Sequence, residues 1–263
     1  WLREARTAAE ITTPTAKNRI IGFPYTKSMV SNNDVDMAAA VIMCSAERAS
    51  ALGVPRDRWV FVHSGTDCHE HNFLSNRVSL AETPAIELGG RLALQLAGLG
   101  IDDIELVDLY SCFPSAVQLG AQGLGLSLDR PLTVTGGLCF AGGPWNNYVM
   151  HSIATMTELL RANPGARGLI TANGGFLSKH SFGVYSATPP PVEFRWQDVQ
   201  AEVDQLPTRV AHADWAGDGV VEAWTAPFDR DGAPQKAFLA VRTPDDGRAL
   251  AVIEDAEAAA VTV

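Results

Sequence analysis

Three short stretches of this chain hold residue types that do chemistry. Tyr110-Ser111-Cys112 sets a phenol, a hydroxyl and a thiol side by side after the apolar run Leu106-Val107-Asp108-Leu109. Gly142-Gly143-Pro144 closes a segment that begins Gly136-Gly137 and carries Cys139 between Leu138 and Phe140. Asn173-Gly174-Gly175 follows a second apolar run, with His180 shortly after it. A thiol with a base nearby is the equipment of nucleophilic or proton-transfer catalysis. Glycine-rich turns let the backbone come close to a ligand. A fourth stretch, Asp67-Cys68-His69-Glu70-His71, has the donor types of a zinc site but no second, well-spaced ligand pair. It reads as a polar loop at a pocket edge, and no metal is expected.

Each of these residues also has a plainer reading. Cys112 is equally a small buried hydrophobe, Tyr110 a strand end with its hydroxyl satisfied, and His180 an ordinary loop histidine. Cys68, in a polar stretch beside His69, is the rival reactive thiol. Cys44, on an apolar helix, and Cys139 are expected to be packed.

For the three stretches to meet, each must end a strand on one edge of a sheet, which is where open α/β sheets place ligands. The pattern predicts strands at 59–63, 104–109, 132–135, 168–172 and 182–187, with 64–75 as a loop. It predicts helices at 36–52, 84–97, 115–120 and 146–161. Asn33 or Asp34 caps the first helix and Thr83-Pro84 starts the second. Such alternation implies a layered α/β core. Thr188-Pro189-Pro190-Pro191 predicts a stiff extended linker. Beyond it, strands at 219–225, 236–243 and 248–253 are separated by the turn clusters Asp229-Arg230-Asp231-Gly232 and Asp245-Asp246-Gly247. That is a small antiparallel β module, with a barrel of the OB type as one form, and a frayed tail at 256–263. The expected division is a peripheral 1–19, an α/β region 20–187, a linker 188–191 and a β domain 192–263.

Composition narrows the function classes. Of 263 residues, 46% are hydrophobic and 19% charged, which fits a packed globular chain. A net charge of −10 opposes a broad nucleic-acid surface, because phosphates call for a basic patch. No apolar run is long enough for a membrane span. Four cysteines without a C-x-x-C pair fit a reducing compartment, so a cytoplasmic location is expected. The opening Trp1-Leu2-Arg3-Glu4 is unlike a signal peptide, and without an initiator Met the chain reads as a piece of something longer.

Taken in order, Asn32-Asn33-Asp34 before an alanine-rich run, Tyr110-Ser111-Cys112-Phe113, Gly142-Gly143-Pro144 and Asn173-Gly174-Gly175 resemble blocks of the C-terminal half of the thiolase superfamily. The likeness covers about residues 20–187 and is strongest to acetyl-CoA acetyltransferases of the sterol-carrier-protein type. The β module resembles the extra C-terminal domain of thiolase-like proteins. This resemblance implies a thiolase-like layered fold, a CoA thioester as substrate or ligand, and no resident cofactor. It also implies acyl transfer by a nucleophilic Cys of an N-terminal half, activated by a His, while a second Cys moves the α-proton.

Cys112 matches that second Cys. Tyr110 stands where the family has Asn or His, Gly143 where it has His, and Ala172 where it has Cys. Ser111, Gly142, Gly143, Pro144, Asn173, Gly174 and Gly175 fall in the substrate-binding blocks, and His180 is a candidate replacement base. The expected partners are acyl-CoA, the N-terminal thiolase half, and a second copy or another protein on the β module. Three functions stay open at this point. One is a thiolase-type acyltransferase, one a retro-aldol lyase on a CoA ester with Tyr110 as acid/base, and one a non-catalytic CoA-binding or scaffold protein.

Overall fold

A computed structural model describes residues 1–260 of the chain, which forms two compact units. The first comprises Trp1–Arg3, Ser31–Glu70 and Glu82–Asp204. Its centre is a five-stranded sheet of β1 (Phe61–His69), β2 (Leu106–Asp108), β3 (Arg167–Gly174), β4 (Lys179–Ser186) and β5 (Arg195–Asp198), in the order β2-β3-β4-β1-β5. The two outer pairings are parallel and the two inner ones antiparallel. Helices α1 (Pro84–Ala97), α2 (Pro114–Leu124), α3 (Gly137–Phe140) and α4 (Tyr148–Ala162) complete the mixed α/β layers.

Residues on β3 alternate between the two faces, as strand geometry requires. Leu169 joins Leu94, Leu109, Leu124, Phe182 and Val184 in the larger core, with α1 and α2. Its neighbour Ile170 packs with Met156 and Leu160 of α4 in a second core.

Helix α1 starts at Pro84, whose missing N–H costs nothing in a first turn, and stops at Gly98 with φ 69. Its inner face is built of small residues, so it lies unusually near the sheet. A Cβ added at Gly89 would stand 2.6 Å from Phe182 Cε2 of the sheet, and one at Gly90 2.1 Å from Leu124 Cδ2 of the neighbouring α2. That closeness lets β1 bond to the helix backbone. Ser64 Oγ donates to Ala93 O at 2.6 Å, Thr66 Oγ1 to Gly89 O at 2.7 Å, and Cys68 Sγ to Ala85 O at 3.3 Å. Two residues of strand advance ~6.6 Å and four of helix ~6 Å, so every second strand residue meets every fourth carbonyl.

Several expected elements take another form. The stretch 64–69 is strand, not loop, because its polar side chains are spent on α1. The helix expected at 36–52 shrinks to Ala46–Ala51. Ile42 is 98% exposed, and a helix here would bury no apolar face to repay its formation. Cys44 is therefore exposed instead of packed. No strand forms at 132–135, where the Val134 N–H goes to the Asp108 carboxylate at 2.9 Å instead of a sheet neighbour. His180 lies inside β4, not in a loop. The proline segment does not end the first unit: past it, β5 pairs in parallel with β1, and the unit runs on to Asp204.

The second unit joins Glu4–Val30, His71–Ala81 and Gln205–Val263, so most of the segment expected to be peripheral belongs to it. Its sheet has β6 (Ala211–His212), β7 (Val220–Thr225), β8 (Ala237–Arg242) and β9 (Arg248–Ile253), in the order β6-β9-β8-β7. All pairings are antiparallel except the short β6 edge. Phe23 stacks on Trp224 at 4.6 Å between ring centroids. Arg248, 1% exposed, holds Glu222 and donates to the carbonyls of Leu74 and Arg77, pinning 71–81 to the sheet. Residues 256–260 are helical where fraying was expected, and 261–263 lie outside the described residues. Among the described residues no helix is long and apolar enough to cross a membrane.

Candidate functional site

In the first unit, β2 and β3 run parallel with Asp108 opposite Ile170, so their C-terminal ends leave the same sheet edge. That register brings Tyr110 and Cys112 beside Thr171 and Asn173. A cleft of about 360 Å³ opens there, lined by Tyr110, Trp145, Val149, Asn173, Gly174 and His180 and by a polar wall of Asp67, His69, Lys179 and Ser181.

The Tyr110 N–H donates to Thr171 Oγ1 at 2.9 Å, which fixes the first residue past the strand. Its ring meets Tyr148 edge-on, with centroids 5.4 Å apart. Burial pushes the Tyr110 phenol up from its ordinary range, and the neighbouring Cys112 adds to the shift. Cys112 lies behind the cleft wall, with Asn173 Nδ2 donating to its Sγ at 3.5 Å. Burial raises its thiol as well, against the opposing pull of the Asn173 bond. The upward shift leaves the thiol poorly suited to attacking as a thiolate. Asn173 Oδ1 is buried with no hydrogen-bond partner.

His180 sits on β4 opposite Asn173 on one side and Cys68 on the other, and donates from Nε2 to Leu177 O at 3.2 Å. Ser111 reaches the site region but not the cleft: its Oγ accepts from the Leu138 N–H at 3.2 Å and caps the short α3. Gly142, Gly143 and Pro144 support the lip and leave Trp145 and Asn146 to line it. Gly175, with φ 63, turns the β3–β4 hairpin outside the lining.

Gly143 has no room for a side chain. A Cβ there would lie 1.9 Å from Ser31 Oγ and 3.2 Å from Leu138 Cδ2. The strap that fills this space also ties the site loops together. Ser31 N donates to Cys112 O at 3.0 Å, Asn32 N to Leu138 O at 3.2 Å, and Gly143 N to Asn32 O at 2.8 Å.

The rival thiol is spent elsewhere. Cys68 points at α1, and burial together with Glu70 and Asp67 pushes it up to about 12. Asp67 on the opposite face accepts from Trp196 Nε1 at 2.8 Å. Strand alternation thus separates the donors of the 67–71 run. Among the described residues no group of three His, Cys, Asp or Glu converges as a metal site would need.

Sequence reasoning missed Asp108 and what it gathers. This carboxylate is fully buried. Its Oδ1 accepts from Thr133 Oγ1 at 2.6 Å and Val134 N at 2.9 Å, its Oδ2 from Tyr148 OH at 3.0 Å and from Ser152 Oγ. An acid inside an apolar strand was the available signal, because a buried carboxylate must be paired.

Known proteins share parts of this sequence and fold. Residues 198–263 match the model of the thiolase-like protein type 1 additional C-terminal domain. An acetyl-CoA acetyltransferase of Syntrophomonas wolfei subsp. wolfei (strain DSM 2245B / Goettingen) is 31% identical over 140 residues, 52% of this chain and 32% of that protein. The crystal structure of a monomeric SCP2-thiolase like protein type 1 from Mycobacterium smegmatis superposes with a TM-score of 0.84 at 37% identity, over 96% of this chain and 56% of that one. The chain thus spans about a third of the first relative and somewhat over half of the second. With the fold, the sequence similarity and the added C-terminal domain in agreement, the chain belongs to the thiolase superfamily.

Proposed function

We propose that the cleft takes the acyl end of a CoA thioester and that Cys112 moves the proton at the carbon next to the thioester carbonyl. The observation that carries this reading is the Cys112 thiol, neutral through burial and held by Asn173 at a strand end behind the cleft. In an acyl transfer of the acetyl-CoA acetyltransferase type, the nucleophile comes from an N-terminal thiolase half. Neither Gly143 nor Ala172 supplies a base or a thiol here, and losing a general base costs about 10²–10⁴-fold in rate. The chain by itself is therefore expected to bind CoA thioesters without catalysing thiolysis.

A second reading, a retro-aldol lyase, is favoured by Asn173 Oδ1. That buried acceptor lacks a donor, and the hydroxyl of a 3-hydroxyacyl thioester would supply one where a ketone would not. In that reaction the phenolate of Tyr110, a minor form because burial raises the phenol, takes the hydroxyl proton. The Cα–Cβ bond breaks to leave a carbonyl product, and Cys112 gives its thiol proton to Cα of the shortened thioester. Tyr110 then returns the proton to the Cys112 thiolate.

Alkylation at limiting reagent, read by peptide mass spectrometry, tests the reading. Cys44, exposed, labels first and Cys68 resists. Cys112 labels slowly and is protected by CoA or acetyl-CoA. Cys112 labelling unaffected by saturating CoA would remove the proposal. Aldehyde or ketone release from a 3-hydroxyacyl-CoA would select the lyase reading.

A further inference from the structure

We propose that Asp108 is the positioning residue of the cleft: through the Tyr148 hydroxyl it fixes the ring of Tyr110, and so the access to the Cys112 thiol. The inference rests on reading Cys112 as the proton carrier.

Asp108 stands where three of the segments around the cleft meet. It ends β2, two residues before Tyr110. Its Oδ1 takes the hydroxyl of Thr133 and the N–H of Val134, which lead into the glycine-rich loop. Its Oδ2 takes the hydroxyls of Tyr148 and Ser152, on the first turns of α4. The two α4 donors share one oxygen but differ in reach. Tyr148 continues from that oxygen to an edge-on contact with the Tyr110 ring, 5.4 Å away and 86° inclined. It also shares a 2.6 Å bond with Thr135 Oγ1, so its ring is held from two sides. Ser152 has no ring to pass on.

The difference between Tyr148 and Ser152 separates positioning from mere stability. Removing either hydroxyl takes one donor from the same oxygen, and Tyr148→Phe also gives up the Thr135 bond that holds its ring. Only Tyr148→Phe, or Asp108→Asn, loosens the ring beside the cleft. Asn at 108 keeps its carbonyl for the Val134 N–H and turns its amide toward Tyr148, which then has no acceptor on that side.

The experiment compares site-resolved Cys112 alkylation in the full chain, without ligand, for wild type, Tyr148→Phe, Asp108→Asn and Ser152→Ala. Tyr148→Phe and Asp108→Asn should speed Cys112 labelling about five-fold, the change equivalent to one lost hydrogen bond, and Ser152→Ala should stay within about two-fold. An unchanged rate in Tyr148→Phe, or an equal change in Ser152→Ala, would overturn the inference. If Asp108→Asn fails to fold, Tyr148→Phe against Ser152→Ala still decides. Protection by CoA is measured separately, so failure of the CoA reading and failure of the positioning role give different results.

Discussion

Adding a side chain at position 143 tests the steric account of Gly143. Gly143 has a backbone conformation open to any residue, so the cost of Gly143→Ala is spatial. The new Cβ would lie 1.9 Å from Ser31 Oγ, well inside contact distance. Ser31 is not free to yield. Its Oγ bonds Asn33 Oδ1 at 2.8 Å and its N–H bonds Cys112 O at 3.0 Å. Overpacking of this kind costs about 2 kcal/mol, and Ser31→Ala alone should cost about 1 kcal/mol through the lost hydrogen bond. Once the hydroxyl is gone, the nearest remaining obstacles are Leu138 atoms at 3.2 and 3.3 Å, which a slight shift accommodates. The double variant should therefore be more stable than the sum of the singles by about 1 kcal/mol, a coupling typical of residues in contact. Urea denaturation of the four proteins measures it. Additivity within about 0.3 kcal/mol would refute the reasoning. A coupling of the expected size means that any larger side chain at 143, a histidine included, would disturb the 31–33 strap.

Two further predictions concern the sheet. Thr66→Val keeps the shape of the side chain but removes its bond to Gly89 O, and should lower stability by about 1 kcal/mol in the same denaturation assay; an unchanged midpoint would show that the strand-to-helix bonds add nothing. His63 is buried on β1, with Nε2 donating to Thr188 O at 3.0 Å, and burial holds it below the ordinary imidazole range. The unfolded chain then binds that proton more readily, so this stability is full above about pH 6.5 and is lost as pH falls toward the folded value. His63→Gln, which keeps a donor for Thr188, should flatten the fall in denaturation midpoint between about pH 7 and 5; an identical slope in the variant would assign the dependence elsewhere.

Where the fold was legible, local signals and tertiary packing agreed. The helix at 84–97 has proline at its start, a left-handed glycine at its stop and a continuous small-residue face. Strands β3 and β4 were found because their apolar residues are the ones they bury. The stretch 64–69 was illegible for the opposite reason. Ser64 and Thr66 are polar by type, yet with Cys68 they are the buried set, made so by carbonyls of a helix still to come in the chain. No periodicity in 64–69 carries that information. The segment 36–45 failed conversely: its alanines and methionines favour helix, but helix formation needs a surface to bury them against, and among the described residues Ile42 and Met43 stay exposed.

The candidate site divides along the same line. Tyr110, Cys112 and Asn173 were legible because strand ends are recognisable and because parallel neighbours must end on one edge. What holds them in place was not, since it consists of residue types that occur anywhere. A threonine at 171 takes the Tyr110 N–H, and a serine at 111 caps α3. A serine at 31 fills the space beside Gly143, and an aspartate at 108 collects hydroxyls from two later segments. These contacts span from 27 to 61 residues of sequence where they touch Ser111 and Tyr110. Chemistry and placement are thus encoded separately here. The candidate reactive groups lie in compact motifs, while the loops that carry them are pinned by dispersed hydroxyls. On this account the pocket geometry is set by dispersed hydroxyls and by the 31–33 strap packed on Gly143, more than by the side chains of the motifs themselves.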